Sequence, residues 1–310
     1  MKYNKYIKKS PLVSEIGLGS WQLGENSGWK SMSEKEAVDM VHKSIELGVN
    51  FFDTSPNYGY GTSELRLGKA LKNFDRNKIV INTKFGHSET GKINFNANYI
   101  RKSLEGSLKR LQVDYIDSLI IHSPPFEYLD GNNNPHYEIL ERLIDEGKIN
   151  AYGASLDNYN EMKLFMDTTN AGVIEAFFNI IHQDAALAFS LAQKKEVGII
   201  VKIPLDSGWL SGKYNAKSTF NDIRDRWSKM DIMTRSNLIK NIIDQENNLA
   251  QTAVSFCLAY DAVSTVIPGN TKISQLKSNV ESANKPISKE LVEKLENFYQ
   301  NEVKHLNLPW

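Results

Sequence analysis

SEKEAVDMVHKSIELGVNFFDTSPNYG, residues 33–59, is the stretch whose reading decides the architecture. Ser33 to Leu47 has helical periodicity, with Ser33 and Glu36 reading as a capping box and Gly48 as the stop. Val49 to Phe52 follows at once as a short apolar, aromatic run that predicts a strand ending at Asp53. The same helix-then-strand unit recurs along the chain.

Working outward, strand-like runs fall at Ile16 to Gly19, Val49 to Phe52, Ile79 to Thr83, Tyr115 to Ile121, Ile149 to Ala154, Val173 to Phe178, Ile199 to Ile203 and Val263 to Ile267. Helix-period segments separate them, one marked by Ile100, Leu104, Leu108 and Leu111. Strands that alternate with helices pair in parallel through right-handed crossovers, and eight such units predict a closed (β/α)8 TIM barrel. A doubly wound sheet is the competitor, but Gly17, Gly19 and Gly24 lack the spacing of its glycine fingerprint. The gap between the seventh and eighth runs is nearly twice the others, which places an insertion there. Asp206 to Asp231 lies in that gap, at a strand's carboxyl end. With no linker in the sequence, residues 1–310 are expected to form a single catalytic barrel domain.

Composition narrows the function. Lys plus Arg and Asp plus Glu both number 37, so no basic footprint for nucleic acid or anionic lipid appears. No segment has the length of a membrane span, and the amino terminus lacks the apolar core of a secretory signal. Cys257 is the only cysteine and the histidines show no zincin spacing, so neither disulfide nor metal is expected, and the expected compartment is the cytoplasm. The oligomeric state is not readable.

Asp53, Lys84 and His122 each end a predicted strand, and Tyr58 follows Asp53 in the same loop. Singly, these residues have ordinary uses as caps, solvated ends and packing groups. Together they meet on the barrel face where catalysis sits. A carbonyl that receives hydride becomes an alkoxide and needs a proton donor; a phenol supplies one when an ammonium lowers its pKa. Lys84 is that ammonium, Asp53 its counter-ion, and His122 orients the substrate oxygen. An isomerase or lyase that uses Lys84 as an imine-forming amine is a rival reading.

With these residues the chain resembles the aldo-keto reductase family over nearly its whole length. The matches run through Gly17-Leu18-Gly19-Ser20-Trp21, Phe52 to Gly59, Gly147-Lys148-Ile149 with Gly153-Ala154-Ser155, Pro204 to Lys213 and Val266-Ile267-Pro268-Gly269. The resemblance implies an NAD(P)H-dependent oxidoreductase acting reversibly on a small aldehyde, ketone or sugar carbonyl, with Asp53, Tyr58, Lys84 and His122 as its tetrad. It places Ser155 on the nicotinamide carboxamide and Leu205, Ser207 and Leu210 in the pyrophosphate loop. It puts Gly269, Lys272, Gln275 and Asn279 on the adenosine end, and Trp21 in the substrate wall. Three positions depart from the family pattern: Leu156 stands where Asn is frequent, Glu175 replaces a frequent Gln, and Lys202 takes a frequent aromatic stacking position. Glu175 is expected to accept from the carboxamide amine, and Lys202 to cover the ring with its stem or pair with Glu175. An arginine common near Lys272 is absent, and the reading leans to NADPH with NADH open. The functional alternative is a nicotinamide-binding regulatory subunit of a larger complex.

Overall fold

The computed structural model describes residues 1–26, 28–242 and 248–309. It opens with an antiparallel pair, β1 (Tyr3–Asn4) and β2 (Val13–Ser14), which the apolar-run reading did not foresee because each strand is only two residues long. Eight parallel strands follow in consecutive order: β3 (Leu18–Gly19), β4 (Phe51–Asp53), β5 (Val80–Phe85), β6 (Ile116–Ile121), β7 (Ile149–Leu156), β8 (Val173–Phe177), β9 (Gly198–Lys202) and β10 (Val263–Val266). The two ends of this sheet meet through bridges between Ile16 and Val266 and between Gly19 and Gly269. Gly17 N donates to Val266 O at 2.8 Å, and Val266 N donates to Glu15 O at 2.9 Å, which closes the expected (β/α)8 barrel. All eight predicted strands are present, most with bounds moved by one or two residues.

Helices α1 (Glu34–Glu46), α2 (Thr62–Leu71), α3 (Ile100–Leu111), α4 (His136–Asp145), α5 (Tyr159–Thr168) and α6 (Phe189–Lys194) carry the chain between successive strands. The capping box forms as read: Ser33 accepts from Glu36 N, and Glu36 accepts from Ser33 N. The insertion lies between β9 and β10. Short turns at Asp206–Ser211 and Ile223–Arg226 and helix α7 (Lys229–Ile242) precede the crossover helix α8 (Leu249–Leu258). After β10 come α9 (Ile273–Ser282) and α10 (Lys289–Phe298). Among the described residues, no helix is long and apolar enough to cross a membrane.

Burial divides into two regions. The larger core lies between strands and helices, and a smaller cluster of Tyr6, Val13, Phe51, Val80, Ile120, Val173, Ile200 and Ile267 fills the barrel floor. Successive side chains on a strand point to opposite faces, so a residue two beyond a floor residue also points inward. That parity carries Asp53, Asn82, His122, Glu175 and Lys202 up from Phe51, Val80, Ile120, Val173 and Ile200, and Lys84 one step above Asn82. The floor is hydrocarbon, and the layers above it are polar.

Candidate active site

Two turns beside the barrel mouth set the position of Tyr58. Gly59 has φ +60°, and a Cβ there would stand 2.4 Å from Glu25 N, so a side chain would force apart the Gly24 and Gly59 backbones. Ser63 N donates to Tyr58 O as α2 begins. The Tyr58 ring stacks on Trp21 with centroids 5.6 Å apart and meets the His122 ring edge-on at 5.8 Å. Lys84 Nζ stands 5.1 Å from the centre of that phenol ring.

Lys84 is fully buried. Its ammonium donates to Asp53 Oδ1 at 2.5 Å and Thr54 O at 3.1 Å, and it lies 3.2 Å from Glu175 Oε2. Asn82 Nδ2 donates to the same Asp53 oxygen at 2.7 Å and reaches Glu175 Oε2 at 3.5 Å. Asn82 Oδ1 in turn accepts from Ser118 Oγ at 2.5 Å, and Ser118 Oγ lies 2.6 Å from the Tyr6 hydroxyl. A hydrogen-bonded chain therefore runs from Tyr6 on the barrel floor up to Asp53 and Lys84.

Electrostatics follow from this packing. Burial opposes the charge on Lys84, but Asp53 and Glu175 more than offset it and hold the ammonium above the ordinary lysine value. Asp53 is pushed up to about 7, first by burial and then by Glu175, against the pull of Lys84. Burial also raises the Tyr58 phenol; Lys84 draws it down, while Asp53 and Glu175 push it up again. The sequence led us to expect a phenol made acidic overall by Lys84. Burial is the main reason that the net shift runs the other way, with Asp53 and Glu175 adding to it. Burial, then Lys84, drives the His122 pKa well below its ordinary value, so the imidazole is neutral, and Ser55 Oγ lies 3.1 Å from its Nδ1. His87 packs against His122 at 4.6 Å between ring centroids.

The nicotinamide end departs from expectation. Lys202 Nζ donates to Ser155 Oγ at 2.9 Å and pairs with Asp157 Oδ1 at 2.7 Å, while Glu175 turns to Lys84. The expected Lys202–Glu175 pair does not form, because Asp157 at the end of β7 lies closer to the lysine than the buried carboxylate on β8.

A cleft of about 720 Å³ opens over these groups. Trp21, Asp53, Tyr58, His122, Ser155, Glu175 and Lys202 line it, as do Gly269, Gln275 and Asn279. Leu205 and Ser207 also face the cleft, where the backbone turns through positive φ at Asp206, Ser207 and Gly208. Leu210 is instead buried in the hydrophobic core, and Lys272 is exposed and not part of the cleft wall. Sequence reading did not assign two cations that line the cleft, Lys213 and Arg224. Lys213 stood in the quoted Pro204 to Lys213 match, but no motif signalled Arg224. It arrives from the insertion, where Asp222 pairs with its guanidinium through both carboxylate oxygens; it also donates to Tyr214 OH at 2.5 Å and Ser207 O at 3.4 Å, and lies over the Trp29 ring. A cleft lined by hydroxyls, amides and cations together with a tyrosine and a histidine has the mixed chemistry that a dinucleotide with a pyrophosphate needs.

Comparison with known proteins agrees with this geometry. The model of the Aldo/keto reductase family matches residues 15–300. L-galactose dehydrogenase of Arabidopsis thaliana is 31% identical over 281 residues, covering 86% of this chain and 83% of its own. The NADH-specific methylglyoxal reductase of Escherichia coli (strain K12) is 27% identical, over 90% of this chain and 94% of its own. Among solved structures, the holo form of an aldo-keto reductase from Bacillus halodurans superposes with a TM-score of 0.79 at 29% identity, over 95% of each chain.

Proposed function

The chain belongs to the aldo/keto reductase family of NAD(P)H-dependent oxidoreductases, and from that premise we propose that it interconverts small aldehydes, ketones or sugar carbonyls with their alcohols, using Tyr58 as proton donor and acceptor. The observation that carries the reading is the convergence of Asp53, Tyr58 and His122 on the cleft, with Lys84 buried against Asp53 and 5.1 Å from the centre of the Tyr58 ring. When bound, NAD(P)H supplies the hydride. Tyr58 gives its hydroxyl proton to the carbonyl oxygen, and Lys84, held charged by its carboxylates, stabilises the phenolate left behind. Neutral His122 orients that oxygen, and the Trp21 ring walls the substrate. Ser155 with Glu175 and Lys202 is proposed for the nicotinamide end, and Leu205 and Ser207 for the pyrophosphate, with Leu210 supporting that loop from the core. Gly269, Gln275 and Asn279 are proposed for the adenosine. The whole chain is proposed to act as one catalytic unit.

We propose NADPH over NADH. Support comes from the Thr271 and Ser274 hydroxyls beside the first turn of α9, where the exposed Lys272 can swing toward a 2′-phosphate as a point charge. The test follows nicotinamide absorbance over a panel of aldehydes, ketones and sugars with both nucleotides. Turnover with a preference for NADPH is expected. A Tyr58→Phe protein should bind the nucleotide as tightly and turn over about 10²–10⁴-fold more slowly. Nucleotide binding without turnover across the panel would point to the regulatory role instead, and undiminished turnover by Tyr58→Phe would remove the tyrosine from the mechanism.

A further inference from the structure

The proton-transfer wall holds one charge more than its chemistry requires. A single carboxylate suffices to keep a buried ammonium ionised, yet Lys84 Nζ has two, Asp53 Oδ1 at 2.5 Å and Glu175 Oε2 at 3.2 Å. The arrangement is built rather than incidental. Asn82 sends its amide hydrogens to both carboxylates, and its orientation is fixed because its carbonyl accepts from Ser118 Oγ, which Tyr6 holds from the barrel floor. Asp53, Glu175 and Lys84 are all nearly or wholly buried, so water screens their interaction little.

We propose that Glu175 is a positioning residue for proton delivery: as the second counter-ion on Lys84, it leaves the buried trio with one negative charge in excess and makes the release of the Tyr58 proton depend on whether Asp53 carries one. This rests on the reading of Tyr58 as proton donor. When Asp53 is ionised, the trio is negative, and a phenolate forming beside it is opposed. When Asp53 is protonated, the trio is neutral and the opposition is gone. Reduction is therefore faster on the acid side of this ionisation and slower on the alkaline side.

The groups that face Glu175 from the surrounding strands leave Asp53 as the site of proton uptake. Tyr58 from the loop after β4 and Tyr6 from the floor are both raised by burial, and Lys84 on β5 is held charged. His122 after β6 is driven down by burial and then by Lys84, and the Lys202 ammonium on β9 is engaged by Asp157 and Ser155. Asp53, pushed up to about 7 by burial and then by Glu175, is the group poised near neutrality.

The experiment compares the wild type with Glu175→Gln and Glu175→Asp, measuring kcat/KM for carbonyl reduction with NADPH from about pH 5.5 to 8.5. The wild type is expected to fall several-fold through neutrality to a lower plateau. Glu175→Gln should lose that step whatever its absolute rate, and Glu175→Asp should partly restore it. A uniform loss in Glu175→Gln with the step intact would make the residue merely structural. Weaker NADPH binding with the step intact would make it a nicotinamide contact. Either result overturns the proposal. Carbon-13 carboxyl NMR on the protein without substrate gives a second readout: a carboxyl that takes up its proton between about pH 6 and 8 in the wild type, and no longer does so in Glu175→Gln. Wild-type carboxyls that titrate only below about pH 5 would equally overturn it. Because that measurement needs no turnover, the two failures are distinguishable: an inactive substrate panel would strike the reading of Tyr58 as proton donor and with it the role in proton delivery, whereas the titration alone decides whether Glu175 sets the ionisation of Asp53.

Discussion

Asp53 shows how a single residue can serve chemistry against stability. Its pKa in the folded chain is raised to about 7 from 3.8, so between those values the folded state holds a proton that the unfolded state has released. Stability from this group is therefore complete below the unfolded value and is lost as pH rises through the folded one. Asp53→Asn removes the penalty of a second buried negative charge. Its melting temperature relative to wild type should rise more at pH 8 than at pH 5, which differential scanning fluorimetry at the two pH values would show, while turnover collapses. An equal change at both would mean that Asp53 does not titrate in this window. At this scale much of the site was legible, because a residue at a strand's carboxyl end in a barrel has one face to point to, and Asp53, Lys84 and His122 all obey that rule. Which inward side chains touch was not legible. Glu175 meets Lys84 from a strand three places away in the sheet, and sequence spacing carries no distance across a closed barrel.

Elements succeed or fail by how closely their backbones approach. Helices α2 and α3 meet at Gly68, where a Cβ would stand 2.5 Å from Leu111 O, and a carbonyl on a helix end has little freedom to retreat. Gly68→Ala would raise helix propensity on its own, yet the overlap dominates, and a loss of about 1–3 kcal/mol is expected in chemical denaturation. A more stable protein would show that α2 slides away without cost. Strands and crossover helices were readable because each buries a periodic apolar face. The hairpin of β1 and β2 was not, since two-residue strands have no period. Leu210 shows the same limit in reverse: its place in the phosphate-loop match was legible, but the burial of its side chain in the core was not.

For the molecule as a whole, the insertion is fastened by one buried ion pair. Arg235 on α7 donates through Nε to Asp206 Oδ2 at 3.0 Å, both side chains are wholly buried, and a second arm of the guanidinium reaches Pro309 O. The Asp206–Ser211 turn, the inserted helix and the carboxyl-terminal segment thus share this tie. Arg235→Met takes the arginine from the buried Asp206 carboxylate and leaves His182 Nε2, 3.5 Å from Oδ1, beside it; a loss of about 3–5 kcal/mol is expected in urea unfolding, together with weaker NADPH binding by fluorescence titration. Unchanged nucleotide affinity would show that the loop keeps its shape without the tie.

Tyr6 and Val13 plug the barrel floor with the apolar side chains of the strands, so the cavity has no rear exit. On the open side Trp21 and Trp29 both line the cleft, their indoles edge-to-face with centroids 5.7 Å apart. A bulky compound seated against that indole pair would cover the Tyr58 side of the cleft, so its inhibition should be competitive toward the carbonyl substrate.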